Sequence, residues 1–294
     1  MFGYETRAMN AIARVCGLVV LTCTVGKMPA QVQVPAPMFN PPKTFYLALG
    51  DSITYGYQKW KVDAGLPPSA FNTGYVDVFV ARLRQIQPGI TIINYGCPGE
   101  TSASFITGPC LWSVFGQQLH DSFSGGQLEA AVAFLRTHPG EVSPITLTLW
   151  GNDVAQLVGF CDRDLTCIQE HASGLITQLA FSLSTILDEL RSAAPNAEII
   201  VMGARDSFIG AFAFADPLFQ ALDASIAQVT AAKRARFADP FPIFNPQGDR
   251  NREEQAICTL TLLCTQGDSH PSDAAYQALA DVVFDASGYN RLLE

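Results

Sequence analysis

The sequence predicts an α/β domain built on a parallel sheet with helices on both faces. Three observations point there. Short apolar runs alternate with longer amphipathic stretches from about residue 45 onward, the pattern that strand–helix–strand units produce. The 294 residues are 48% apolar, enough for one sizeable core. Polar, chemistry-bearing clusters follow or end several of the apolar runs, where open α/β sheets place their ligands.

In chain order, the candidate strands are Phe45 to Leu49, Ile90 to Asn94, Ile145 to Leu149, Glu198 to Gly203 and a weaker one at Arg236 to Ala238. Helical patterns lie between them at Tyr75 to Gln85, Gln127 to Arg136, Ile168 to Ala194 and Pro217 to Arg234, and a last one covers Asp273 to Asp285. The third carries the clearest apolar stripe (Ile168, Leu175, Ile176, Leu179, Leu183, Ile186, Leu187, Leu190) and ends at Pro195-Asn196. No internal repeat or second domain is visible.

The first residues read differently. Arg7 and Arg14 precede the apolar run Val15 to Val25, and Lys27-Met-Pro-Ala30 follows with a small residue for cleavage, the layout of a secretory signal. The run is far short of the ~20 residues that span a bilayer, so no stable membrane insertion is expected. Residues 1–30 are therefore read as a leader and 31–43, with Pro35, Pro37, Pro41 and Pro42, as an extended linker. The remaining 44–294 form the domain. Without Cys16 and Cys23, six cysteines remain; they allow 15 pairings, of which the simplest, sequence-local one joins Cys97 to Cys110, Cys161 to Cys167 and Cys258 to Cys264. Such pairing suits an oxidising, extracellular or periplasmic compartment.

Composition also excludes partners. A net charge of −9 without a Lys/Arg cluster argues against a nucleic-acid surface. There is no Gly-x-Ser-x-Gly elbow, no Gly-x-Gly-x-x-Gly and no Walker-type loop, so neither the common α/β-hydrolase arrangement nor a nucleotide cofactor is indicated. Cys-x-x-Cys is missing and the four histidines are dispersed, which leaves no zinc pattern. The chain is expected to act as a monomer without cofactor or metal.

Four segments carry the chemistry: Gly50-Asp-Ser52, Cys97-Pro-Gly-Glu-Thr-Ser102, Leu149-Trp-Gly-Asn-Asp153 and Gly267-Asp-Ser-His-Pro271. In this order they resemble the SGNH, or GDSL, hydrolase family from about Phe45 to the C-terminus. The resemblance implies a flavodoxin-like, three-layer α/β/α fold with a central five-stranded parallel sheet. It also implies an oxyanion hole formed by the Ser52 backbone N–H, Gly99 and the Asn152 side chain.

The residues argue the same chemistry. A serine hydroxyl needs a base, and imidazole is the usual one. His270 stands in a turn ahead of a helix with Asp268 two residues before it, and in an extended backbone those two side chains share a face. Family members often have the acid three residues before the histidine, where this chain has Gly267. The catalytic set expected here is Ser52, His270 and Asp268, with Asp51 and Asp153 shaping loops. Phe208 to Phe214 and Pro217 to Phe219 are candidates for an acyl pocket or for core. The expected function is a secreted serine carboxylesterase or lipase acting on a small-molecule or lipid ester. The alternatives are an acetyl esterase on polysaccharide and a secreted binding protein that keeps only the fold.

Overall fold

β1 (Phe45–Gly50) is buried from Tyr46 onward, which only a strand covered on both faces and paired on both edges achieves. The computed structural model of the chain describes residues 36–207, 216–246 and 249–294. The expected leader, Gln31 to Pro35 of the expected linker and the Phe208 to Phe214 segment lie outside them.

From β1 the chain runs through α1 (Ser52–Tyr55), α2 (Tyr75–Ile86), β2 (Thr91–Asn94), α3 (Ser102–Thr107), α4 (Gln127–Thr137) and β3 (Val142–Thr148). It continues with α5 (Gly151–Phe160), α6 (Leu165–Ala193), β4 (Ile199–Met202), α7 (Asp216–Ala232) and β5 (Arg236–Ala238). The last elements are α8 (Arg250–Leu260), β6 (Thr261–Leu262), β7 (Asp268–Pro271) and α9 (Asp273–Ser287). Among the described residues β1 to β5 form one parallel sheet in the order β2-β1-β3-β4-β5. This is the flavodoxin-like order, in which the direction of winding reverses between β1 and β3. The carboxyl ends of those two strands therefore flank a natural crevice.

The two faces of the sheet follow from the two-residue strand period. Leu47, Leu49, Ile145, Leu147, Ile199 and Val201 point to one side, where Leu128 and Leu135 of α4, Leu183 and Ile186 of α6 and Leu222 and Ile226 of α7 cover them. Tyr46, Ala48, Ile200 and Met202 point to the other, under Phe79 and Leu83 of α2 and Tyr276, Leu279 and Val283 of α9. Each fully buried aliphatic or aromatic side chain contributes about 1.5–3 kcal/mol. On the second face β3 presents Thr146 and Thr148 instead of aliphatics. Their hydroxyls are satisfied by Tyr46 (2.8 Å) and Tyr75 (3.2 Å), and by Thr54 (2.7 Å), respectively.

All five expected strands and all five expected helices are present. Helices also appear where none was expected, the longest being α5 directly after Trp150 and α8 ahead of β6. The apolar stretch Ile257 to Leu263 splits between α8, β6 and a short helix at Leu263–Gln266, and β6 pairs antiparallel with β7. The three sequence-local disulfides are formed, with Cα–Cα distances of 6.0, 5.6 and 5.2 Å. Loops of this length contribute roughly 2–3 kcal/mol each in the chain-entropy model. Among the described residues no helix is long and apolar enough to cross a membrane.

β1 ends where side chains have no room. Gly50 has φ +130°, and a Cβ there would lie 2.2 Å from the Thr148 carbonyl oxygen. Gly50→Ala is expected to lower unfolding stability by on the order of 3–5 kcal/mol, because the backbone conformation and the β1–β3 contact both have to give. Urea unfolding checks this against Gly89→Ala, whose Cβ meets open space and which should stay within about 1 kcal/mol of the parent.

Candidate active site

The turn after β1 is built by side chains from other elements. Gln127, fully buried on α4, accepts from the Gly50 N–H (2.6 Å) and donates to the Gly50 carbonyl (3.0 Å). Asp51 then caps α1: its Oδ1 accepts from the Ile53 N–H (2.9 Å) and from the Thr148 hydroxyl (3.0 Å). Ser52 is thereby the first residue of a short helix, and its own N–H has no partner within that helix.

His270 arrives from β7. Its Nε2 lies 3.0 Å from Ser52 Oγ, and its Nδ1 lies 2.6 Å from Asp268 Oδ1. With Nδ1–H donating to the carboxylate, Nε2 is left to accept the serine proton. Asp268 is held in turn by the N–H groups of His270 (3.1 Å, to Oδ1) and Lys59 (2.8 Å, to Oδ2). Burial pushes the Asp268 carboxyl up, but the hydrogen bonds and the imidazole together outweigh it and keep the group below its ordinary value. The Tyr57 ring, 4.3 Å from the imidazole between centroids, limits the other side of His270. Asp268 and His270 share a face because β7 is extended, as their spacing predicts.

The loops after β2 and β3 meet beside Ser52. Gly99 has φ +88°, and no atom lies within 4 Å of where its Cβ would be, so its backbone is open to a ligand. Asn152, in the first turn of α5, donates from Nδ2 to the Glu100 carbonyl (2.9 Å) and keeps its second amide hydrogen. Asp153 accepts from the N–H (3.0 Å) and hydroxyl (2.6 Å) of Ser102, pinning α5 to α3. Asp51 and Asp153 are thus hydrogen-bond acceptors that shape their loops.

A cavity of about 460 Å³ opens at this point, lined by Ser52, His270, Asn152 and Asp51 together with Trp150, Gly151, Val154, Ala155, Val158, Arg163, Arg205, Ser207 and Phe219. Gly99 is on the adjacent loop and does not line it. Phe219 contributes to the wall, and Trp150 crosses it edge-on (5.8 Å between centroids).

Two groups, Glu100 and Arg205, escaped the sequence reading, and a third, Asp51, was read only as a loop-shaping acceptor. Glu100 is buried, accepts from Gln127 (3.1 Å) and the Ser104 hydroxyl, and is pushed up to about 7 by burial. Asp51 is pushed up to about 6 by the same cause. Arg205, on the loop after β4, is 2% exposed, and its Nε and Nη1 have no hydrogen-bond partner. It lies over the rings of Phe244 (4.8 Å) and Trp150 (5.6 Å), and burial lowers it to about 10. Cation–π contacts of this kind contribute about 2 kcal/mol when desolvated, whereas burying an ion costs several kcal/mol, so the guanidinium remains under-compensated. No adjacent sequence feature distinguishes this arginine. Cys97, Glu100 and Cys110 cluster like metal ligands, but the two sulfurs are bonded to each other and offer no thiolate.

The model of the GDSL-like lipase/acylhydrolase family matches residues 48–278. No curated protein matches the chain in sequence. Solved structures with the same fold include a lipase from a goat rumen metagenome (19% identity, covering 84% of this chain and 99% of that one, TM-score 0.55). An extracellular lipase from Streptomyces rimosus is similar over 83% and 99% of the two chains (18%, TM-score 0.53). An acetylxylan esterase from Geobacillus stearothermophilus is similar over 84% and 95% (19%, TM-score 0.52).

The raised carboxyls have a stability consequence. Glu100, Asp51, Asp77 and Asp223 all sit above their ordinary values, at about 7, 6, 6 and 7, each through burial first. Between about pH 4 and those values the folded chain binds more protons than the unfolded one. Their stabilisation is full below the unfolded values and is lost as pH rises through 6–7. Asp268, shifted downward, acts only in more acid solution. The Tm is expected to be highest near pH 5 and to fall by several degrees at pH 8. Glu100→Gln should flatten that slope, and an unaltered slope in calorimetric scans would remove Glu100 as a source.

Proposed function

We propose, from the premise that the chain belongs to the GDSL-like lipase/acylhydrolase family, that it is a secreted serine hydrolase that cleaves carboxylic esters through an acyl-Ser52 intermediate. The observation that carries this reading is the unbroken hydrogen-bonded series Ser52 Oγ, His270 Nε2, His270 Nδ1, Asp268 Oδ1, at 3.0 and 2.6 Å.

Ser52 Oγ attacks the ester carbonyl carbon while its proton passes to His270 Nε2, and Asp268 holds the tautomer and stabilises the imidazolium. The carbonyl oxygen becomes an oxyanion beside the Ser52 N–H, the Gly99 N–H and the free hydrogen of Asn152 Nδ2. Loss of one such donor typically costs about 10²–10³ in rate. His270 returns the proton to the departing alkoxide, takes one from water as the water attacks the acyl-serine, and passes it to Ser52 Oγ as the acyl–Oγ bond breaks. The products are the alcohol, the acid and free Ser52. Val154, Ala155, Val158 and Phe219 along the cavity favour an acyl group longer than acetyl, and so a lipid or short-chain acyl ester ahead of acetylated polysaccharide. The three disulfides and the leader-like N-terminus support export.

Hydrolysis of p-nitrophenyl esters from acetate to palmitate tests the reading. Activity is expected to peak above acetate and to vanish in Ser52→Ala; equal rates in the two proteins would overturn the nucleophile assignment. Asp268→Asn should lower kcat by about 10²–10⁴ with the fold retained by circular dichroism. A near-parent rate would transfer the orienting role to another group.

A further inference from the structure

The mechanism uses neither of the arginines that line the cavity. Arg205 is the more informative, because it is 2% exposed and faces the same space as Ser52 with Nε and Nη1 unpartnered. Among the described residues it makes no hydrogen bond or ion pair. Its neighbouring carboxylate, Asp51, acts on it through space, but Asp51 Oδ1 is occupied by the Ile53 N–H and the Thr148 hydroxyl. The rings of Phe244 and Trp150 pack against the guanidinium without satisfying its N–H groups. Exposed Arg163 adds a second positive charge to the lining, while Val154, Val158 and Phe219 add apolar wall. The cavity wall thus combines hydrocarbon contact with a buried guanidinium whose Nε and Nη1 are unsatisfied.

We propose that Arg205 determines specificity by binding an anionic oxygen group, carboxylate or phosphate, carried on the acyl part of the ester that Ser52 attacks. The proposal rests on the ester-hydrolase reading of this site and names its substrate class: an acyl chain bearing a negative charge. A guanidinium can present parallel N–H donors to two oxygens, the geometry that favours carboxylate and phosphate over a neutral group. A buried polar site left unpaired rejects the analogue that lacks the matching group.

Three methyl esters of equal length separate the possibilities: methyl hexanoate, monomethyl adipate and methyl 5-phosphonopentanoate, followed by pH-stat. The parent protein is expected to favour one of the charged esters over methyl hexanoate by at least about tenfold in kcat/KM. Adipate in the lead identifies a carboxylate ligand, and the phosphonate in the lead a phosphate-like one. Arg205→Met should collapse the charged-to-neutral ratio towards one through KM, and Arg205→Lys should keep part of it. No preference in the parent, or an unchanged ratio in Arg205→Met, overturns the proposal. Should Arg205→Met not fold, free adipate is expected to inhibit the parent's hydrolysis of methyl hexanoate at least tenfold more strongly than hexanamide does, and equal inhibition overturns it. Should no ester be hydrolysed, the ester-hydrolase reading fails by itself. Calorimetric titration of Ser52→Ala with adipate and with 5-phosphonopentanoate then decides on Arg205: heat of binding that Arg205→Lys weakens supports the anion site, and its absence for both ligands overturns it.

Discussion

The approach of β1 to β3 at their carboxyl ends governs the rest of the molecule. Gly50 stands opposite Thr148 with no room for a side chain, and that closeness lets one threonine hydroxyl reach both Thr54 and Asp51. Asp51 in turn caps the helix that begins with Ser52. The nucleophile candidate is therefore positioned by the sheet itself, at the point where the winding direction reverses, and not by a loop free to adjust. Gln127 reinforces the same spot by bonding both backbone groups of Gly50, which keeps polar groups satisfied where the strand ladder ends.

That arrangement concentrates charge in a poorly hydrated place. Asp51, Glu100 and Arg205 are each at most 3% exposed, and burial moves all three toward their neutral forms. Asp268 is the exception, since its hydrogen bonds outweigh its burial. The difference sorts the site into a carboxylate that stays ionised beside the imidazole and carboxyls that titrate close to neutrality. An apolar core on both faces of the sheet and three short disulfide loops supply the stability against which these groups are held.

Legibility in the sequence followed how local each cause is. β1 and α6 were readable because their apolar periods are set by their own burial. α5 was not, since Trp150-Gly-Asn-Asp has poor helix formers at its start and is held by contacts from Ser102 and the Glu100 carbonyl. β3 begins at Val142, three residues before its expected start, and runs through Pro144, a residue that ordinarily argues against a central strand. α8 is mostly polar in its first turns and depends on its Asp249 cap, so no apolar stripe marks it in the sequence. Asp268 could be named because a two-residue spacing in extended chain brings side chains to one face. Arg205 could not, because its burial is made by Trp150 and Phe244, which reach it only after folding.

By itself the sequence determined the α/β class, the order of the main strands and helices and the polar residues Ser52, His270 and Asp268 at element ends, and it made local pairing the simplest arrangement of the cysteines. Those are consequences of period, spacing and residue chemistry, all carried within short stretches of chain. Tertiary structure decided the strand order, the closeness of Gly50 to Thr148, the 218-residue separation that Ser52 and His270 bridge, and which charges are buried. Distances and desolvation depend on atoms contributed by remote elements, and no local pattern encodes them.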